Sequence, residues 1–209
     1  MSKHLITRFM NEKERFDDEA YFFYTVAYHL APIFTSRKPS SVLTFSKHGR
    51  NMYDLWEQYK SKFFEGSAIH FYELKKTKQK VCVLFYVPGH LMGTLTYGEH
   101  MAFLKKFGYH EHMTLRDYLE LLKKRFAEDC PHEVGLFLGV PLNDIKGFIA
   151  CNGKNYLFSG YWKVYHCLQQ TLDTFKLYDQ AKMQVVNLVS KGIAFSNLKQ
   201  STLERLLVS

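Results

Sequence analysis

The stretch Cys130-Pro131-His132-Glu133-Val134-Gly135-Leu136-Phe137-Leu138-Gly139-Val140-Pro141 sets an imidazole and a carboxylate at the mouth of a short apolar run. An imidazole can give or take a proton near neutrality and a carboxylate can orient it, so His132 and Glu133 are the candidate catalytic residues for acid–base chemistry. His132 is the better acid or base of the two. Successive strand residues face opposite sides, so both side chains serve one pocket only if the strand begins after them. Gly135 and Gly139, within or just after that run, suit the close approach of another backbone or of a bound group. A second set, Gly160-Tyr161-Trp162-Lys163-Val164-Tyr165, combines a flexible entry, an indole, a cation and two phenols. Tyr161, Trp162, Lys163 and Tyr165 are therefore candidate ligand-binding residues, able to stack a planar ring and to fix a phosphate or carboxylate. The same residues also suit a helix start with Trp162 buried and Lys163 reaching out to water.

Other chemistries find less support. His110-Glu111-His112 lies in a turn after Gly108 and lacks a nearby third ligand, so no metal centre is expected. Cys82, Cys130, Cys151 and Cys167 form no C-x-x-C pair, which points to reduced thiols rather than a zinc ribbon or redox dithiol. Gly139-Val140-Pro141 leads into a helix start that could meet an anion, but it lacks the spacing and Lys-Ser/Thr pair of a phosphate loop, and Asp144 opposes an anion there. A serine elbow, a kinase set and a dinucleotide fingerprint are all missing, and the sequence spells out no cofactor.

These residues need elements to position them. Helical spacing runs from Asp17 to Ile33 with Pro32 near its end, then over Met52 to Phe64, ended by Gly66. Ser41 to Phe45 reads as a strand, and Ala68 to Leu74 with Val81 to Val87 as an antiparallel hairpin about a polar turn. His90 to Phe107 and Thr114 to Ala127 read as helices, the second opened by a capping box of Thr114 and Asp117. Val134 to Leu138, nearly all apolar, is expected as a strand in the middle of the sheet. A short helix follows over Pro141 to Ile149, then a turn at Asn152-Gly153-Lys154-Asn155. Gly160 to Tyr165 leads into a long helix through about Ser190 with Gly192 as its cap, and residues 193–209 form a tail or short helix. The pattern predicts an α+β fold: one domain over residues 1–209, with a mixed sheet of about four strands containing one antiparallel hairpin, packed against helices. A doubly wound α/β fold is the alternative.

With 209 residues, 46% of them hydrophobic, the chain can bury one sizeable core. The sequence shows no apolar run of the roughly 20 residues a membrane span needs and no signal-peptide pattern at its start, so a soluble cytoplasmic protein without membrane association is expected. The net charge of +8 favours an anionic partner. Basic residues are dispersed, and basic–aromatic interleaving on strands is lacking, so nucleic acid is not the expected one.

Three segments carry a family resemblance: Ala31-Pro32; Pro131 through Asp144 with Gly147-Phe148-Ile149; and Gly160 through Tyr165. In type, order and spacing they resemble a bacterial family known as domain of unknown function 3793, from about Tyr21 to Tyr178. The resemblance implies no activity. Leu30 stands where members of that family usually carry a cysteine, which argues against a cysteine-nucleophile reading for this chain. The expected function is small-molecule binding, with enzymatic chemistry left open, at a site shared by His132, Glu133 and the Gly160 to Tyr165 segment; the ligand would be anionic or planar. The alternative is a basic module that docks an acidic protein such as a flavodoxin-like carrier.

Overall fold

The computed structural model describes residues 13–191 together with Thr7, Phe9 and Asn11. Asp17 caps α1 (Asp18–Phe34) by accepting from the Ala20 N–H at 2.8 Å, and Asp18 and Glu19 complement the positive end of the helix. Pro32 sits inside the last turn of α1 rather than beyond it. Strand β1 (Ser40–Ser46) leads to α2 (Met52–Phe64), and β2 (His70–Lys76) and β3 (Lys80–Tyr86) form the expected hairpin. The single helix expected over His90 to Phe107 is broken into α3 (Pro88–Leu95), α4 (Gly98–Leu104) and a short 3₁₀ turn. The capping box of α5 (Leu115–Glu128) is present as expected, with both reciprocal bonds between Thr114 and Asp117.

The sheet order is β1-β3-β2, all antiparallel. Its central strand is β3, whose side chains are buried on both faces. Val81, Val83 and Phe85 point into one core with α1, α2 and α8 (Leu168–Ser190), while Leu84 and Tyr86 point into a second core with α3, α4 and α5. Because one sheet serves both cores, the described residues make a single α+β domain. Parallel strand pairs are absent among the described residues, so neither the mixed sheet nor the doubly wound alternative is formed.

Two expectations at the candidate site are corrected. Val134 to Leu138 is not a strand: Val134–Phe137 is a single helical turn, α6, with Val134, Leu136 and Phe137 buried in the second core. It closes in a Schellman motif, in which the Val140 N–H reaches the Gly135 carbonyl at 2.8 Å and the Gly139 N–H reaches Leu136 at 3.0 Å. Gly139 adopts φ +74°, and a Cβ there would lie 2.7 Å from Pro39 Cδ. The short apolar run is thus a buried helix end, a case that periodicity alone does not separate from a strand. Nor does Gly160 to Tyr165 start a helix. After α7 (Leu142–Ala150) the chain forms a second, two-stranded hairpin, β4 (Phe158–Ser159) with β5 (Lys163–Val164), and α8 begins only at Leu168. The expected cap at Gly192 and the tail at 193–209 lie outside the described residues.

The Schellman geometry yields a stability prediction. Gly139→Ala lowers the unfolding free energy by about 2 kcal/mol, as a left-handed backbone plus a steric contact requires. Gly139→Asn does not escape, although Asn tolerates that backbone, because its Cβ meets Pro39 as well. Urea unfolding midpoints of both variants check this.

Candidate functional site

Three elements meet at one carboxylate. Asp144, in the first turn of α7, is 1% exposed. Its Oδ2 accepts from the Trp162 indole N–H at 2.8 Å, and its Oδ1 accepts from the backbone N–H groups of Tyr165 at 2.7 Å and His166 at 2.9 Å. These bonds pull residues 162–166 down onto α7 and prevent them from continuing α8 toward the N-terminus. Two further contacts fasten the hairpin. The Lys163 ammonium donates to the Gly153 carbonyl at 2.7 Å, and Tyr165 lies so close over Gly147 that a Cβ there would fall 2.5 Å from its ring.

Between α6, α7 and this hairpin lies a concavity of about 460 Å³. His132 stands exposed at its mouth, its ring 5.7 Å from that of Phe148. Val134, Gly135, Val140 and Ile145 form the aliphatic wall, and Phe148 and Trp162 the aromatic one. Gly135 keeps that wall thin, since a Cβ there would lie 2.8 Å from Ile145 Cδ1. Lys163 lies at the rim, its ammonium 5.8 Å from the centre of Phe148 and 4.9 Å from that of Tyr156. Of the lining side chains that carry nitrogen or oxygen, Asp144, Trp162 and Lys163 are hydrogen-bonded within the protein. The His132 imidazole has no such bond among the described residues.

The candidate residues therefore divide. His132, Gly135, Trp162 and Lys163 line one concavity. Glu133 does not: it is fully buried and faces Arg125, whose Nη2 is 3.3 Å from one carboxylate oxygen while Nε contacts the other. The hydrogen bond to Glu133 raises the Arg125 pKa above its usual range. Gly139 belongs to the Schellman turn. Tyr161 faces the other way, donating from its hydroxyl to Asp179 of α8 at 2.8 Å. Tyr165 packs on Gly147 and does not line the concavity.

Glu133 is thus held away from His132, and an acid–base dyad is not formed. Cys130 also lines the concavity, but burial, followed by the charge of Asp129, raises its thiol pKa, which disfavours a thiolate nucleophile. Leu30 is fully buried in the first core, so that position presents no side chain to a ligand. Sequence reasoning missed Asp144 as the anchor and Phe148 as a wall. A signal was present: Asp144 falls between the apolar Leu142 and Ile145 of one short helix, and a buried indole N–H needs an acceptor. Among the described residues no three His, Cys, Asp or Glu side chains gather closely enough to hold a metal ion, and no helix is long and apolar enough to cross a membrane.

The chain matches the family model described as protein of unknown function (DUF3793) over residues 26–199, and it belongs to that family. No curated protein and no solved structure matches it.

The two buried carboxylates give opposite readouts. Arg125→Met leaves Glu133 buried without its cation and lowers stability by about 3–5 kcal/mol, measured by urea unfolding, with the Trp162 environment little changed. Asp144→Asn sets an amide N–H₂ or a single acceptor against three donors and costs about 1–3 kcal/mol. It also shifts Trp162 fluorescence to the red as the indole is released, a shift best read in a Trp56→Phe background.

Proposed function

We propose that this member of the DUF3793 family is a small-molecule-binding domain whose ligand occupies the concavity between α6, α7 and the β4–β5 hairpin. A planar, largely apolar molecule with one acceptor or carboxylate at its edge fits the chemistry of the walls. Its ring would lie against Phe148 and Trp162, and its polar edge would meet the His132 imidazole at the mouth. Lys163 spends one hydrogen bond on Gly153 and keeps donors for an anionic edge.

The observation that carries this reading is the pattern of satisfied and unsatisfied groups. The inner polar atoms are bonded within the protein, so the aromatic and aliphatic surface is free for a ligand and requires no water in its place. His132, together with the remaining Lys163 donors, is left to give direction. Binding rather than turnover is the reading we favour, because Glu133 is committed to Arg125, Asp144 and Lys163 are hydrogen-bonded within the protein, and burial raises the Cys130 thiol pKa.

Titration with simple aromatic carboxylates, benzoate and indole-3-carboxylate, tests the proposal by amide and imidazole NMR. The expected result is perturbation of His132, Gly135 and the Trp162 indole, with His132→Ala weakening affinity about tenfold, the value of one hydrogen bond near 1.4 kcal/mol. If neither probe moves those resonances while the protein remains folded, the proposal fails.

A further inference from the structure

We infer that Lys38 and Lys182, on the opposite side of the β4–β5 hairpin, form a second binding site, one for a phosphate group. This inference is independent of the concavity. Lys38 follows α1 in a loop anchored by its backbone N–H to the Pro32 carbonyl at 3.0 Å, and Lys182 projects from α8. The Lys182 ammonium lies 4.5 Å from the centre of the Tyr161 ring and 5.3 Å from that of Tyr28, and the Lys38 ammonium lies 5.9 Å from the Tyr178 ring. Tyr161 and Tyr178 meet edge to face at 5.1 Å, so the two cations stand over the two members of one ring pair.

Neither ammonium group has an ion-pair or hydrogen-bond partner among the described residues. The nearby carboxylate, Asp179, is taken by the Tyr161 hydroxyl. Lys60, by contrast, is paired: it lies 2.9 Å from Glu57 and 3.2 Å from Glu73, and despite the opposing effect of burial those bonds carry its pKa above the ordinary value. Here the balance is reversed. Burial and then Lys182 push Lys38 down to about 8, while burial lowers Lys182 and Asp179 offsets this only in part. His29, on the adjoining end of α1, is pushed down to about 4 by burial, Lys182 and Lys13. Lys38 and Lys182 thus have Asp179, already engaged by Tyr161, as their neighbouring carboxylate among the described residues, and the group this arrangement lacks is an anion. Two separate ammonium groups, each a point charge with three donors, suit a dianionic phosphate better than a single carboxylate.

Without ligand, the folded protein holds the Lys38 proton less tightly than the unfolded chain does. The Lys38 contribution to stability therefore rises as pH climbs from about 8 toward the ordinary lysine value of 10.5, opposed above pH 10 by the raised Tyr28, Tyr161 and Tyr178 phenols, and bound phosphate flattens the Lys38 part by restoring its charge. The test is calorimetric titration of the full chain with inorganic phosphate and with acetate, at pH 7 and at pH 8.5. Phosphate is expected to bind more tightly than acetate, to bind more weakly at pH 8.5, and to take up protons there, seen as a dependence of the heat on buffer ionisation. Lys38→Met and Lys182→Met should each weaken phosphate binding at least about tenfold, a change near 1.4 kcal/mol, while Lys62→Met, at a salt bridge to Glu19, should leave it unchanged. The inference is overturned by an absence of phosphate binding up to about 10 mM, by acetate binding as tightly, or by an equal loss in Lys62→Met.

Discussion

One buried carboxylate organises the second half of this molecule. Asp144 is nearly inaccessible to water yet carries three donors, one from an indole and two from consecutive backbone amides. A charged group so placed is tolerable only because its oxygens are satisfied, and its loss would leave those three donors unpaired together. Local sequence alone would let the chain run helically into α8. The bonds to Tyr165 and His166 instead fix it as a hairpin folded back on α7. The concavity exists because the hairpin stands there: remove that anchor and Trp162 and Lys163 have no reason to face His132.

Around this anchor the protein treats its interior charges in two ways. Glu133 and Arg125 neutralise each other, and Glu73 joins Lys60 and the Trp56 indole in the same manner. Such pairs gain little net stability over an apolar core, but each is costly to break, so they fix geometry more than they add to the folding free energy. Lys38 and Lys182 follow the other course. Their contacts are with aromatic faces, which attract a cation far less than a carboxylate does at comparable burial. The two pairs, one beside each core, hold structural charge, whereas Lys38 and Lys182 each stand over aromatic rings with no carboxylate bonded to them among the described residues.

Much of the frame was legible in the sequence, because it follows from local rules. The Met52 to Phe64 helix, the polar turn between β2 and β3, and the Thr114–Asp117 box are each dictated by residues within a few positions of one another. Errors arose where a distant residue decided the outcome. Val134 to Leu138 has a strand's composition, but its end is set by Gly139 closing on Pro39, about a hundred positions earlier in the chain. Similarly, Gly160 to Tyr165 has a helix start's composition, but Asp144 holds it as a hairpin. The apolar signature expected of a central strand was itself sound and belongs to β3. At the candidate site the sequence grouped two segments whose His132 and Trp162 line one concavity, but it did not tell which side chains would be free.

That last distinction bears on how a motif dense in His, Glu, Asp, Trp and Lys is to be read. Such a density suggests chemistry, yet Glu133 is committed to Arg125, Asp144 to the hairpin, the Trp162 N–H to Asp144 and one Lys163 proton to Gly153. The glycines are equally accounted for by close packing at Ile145, Pro39 and Tyr165. What the motif builds is a set of closely packed walls in which the polar groups set positions. In the proposed reading, walls held by these bonds lower the ordering cost of binding, and His132 with the remaining Lys163 donors orients the ligand. An acid–base pair would need the reverse arrangement, with two groups left free to exchange protons, and the burial of Glu133 against Arg125 is the feature that separates the two cases.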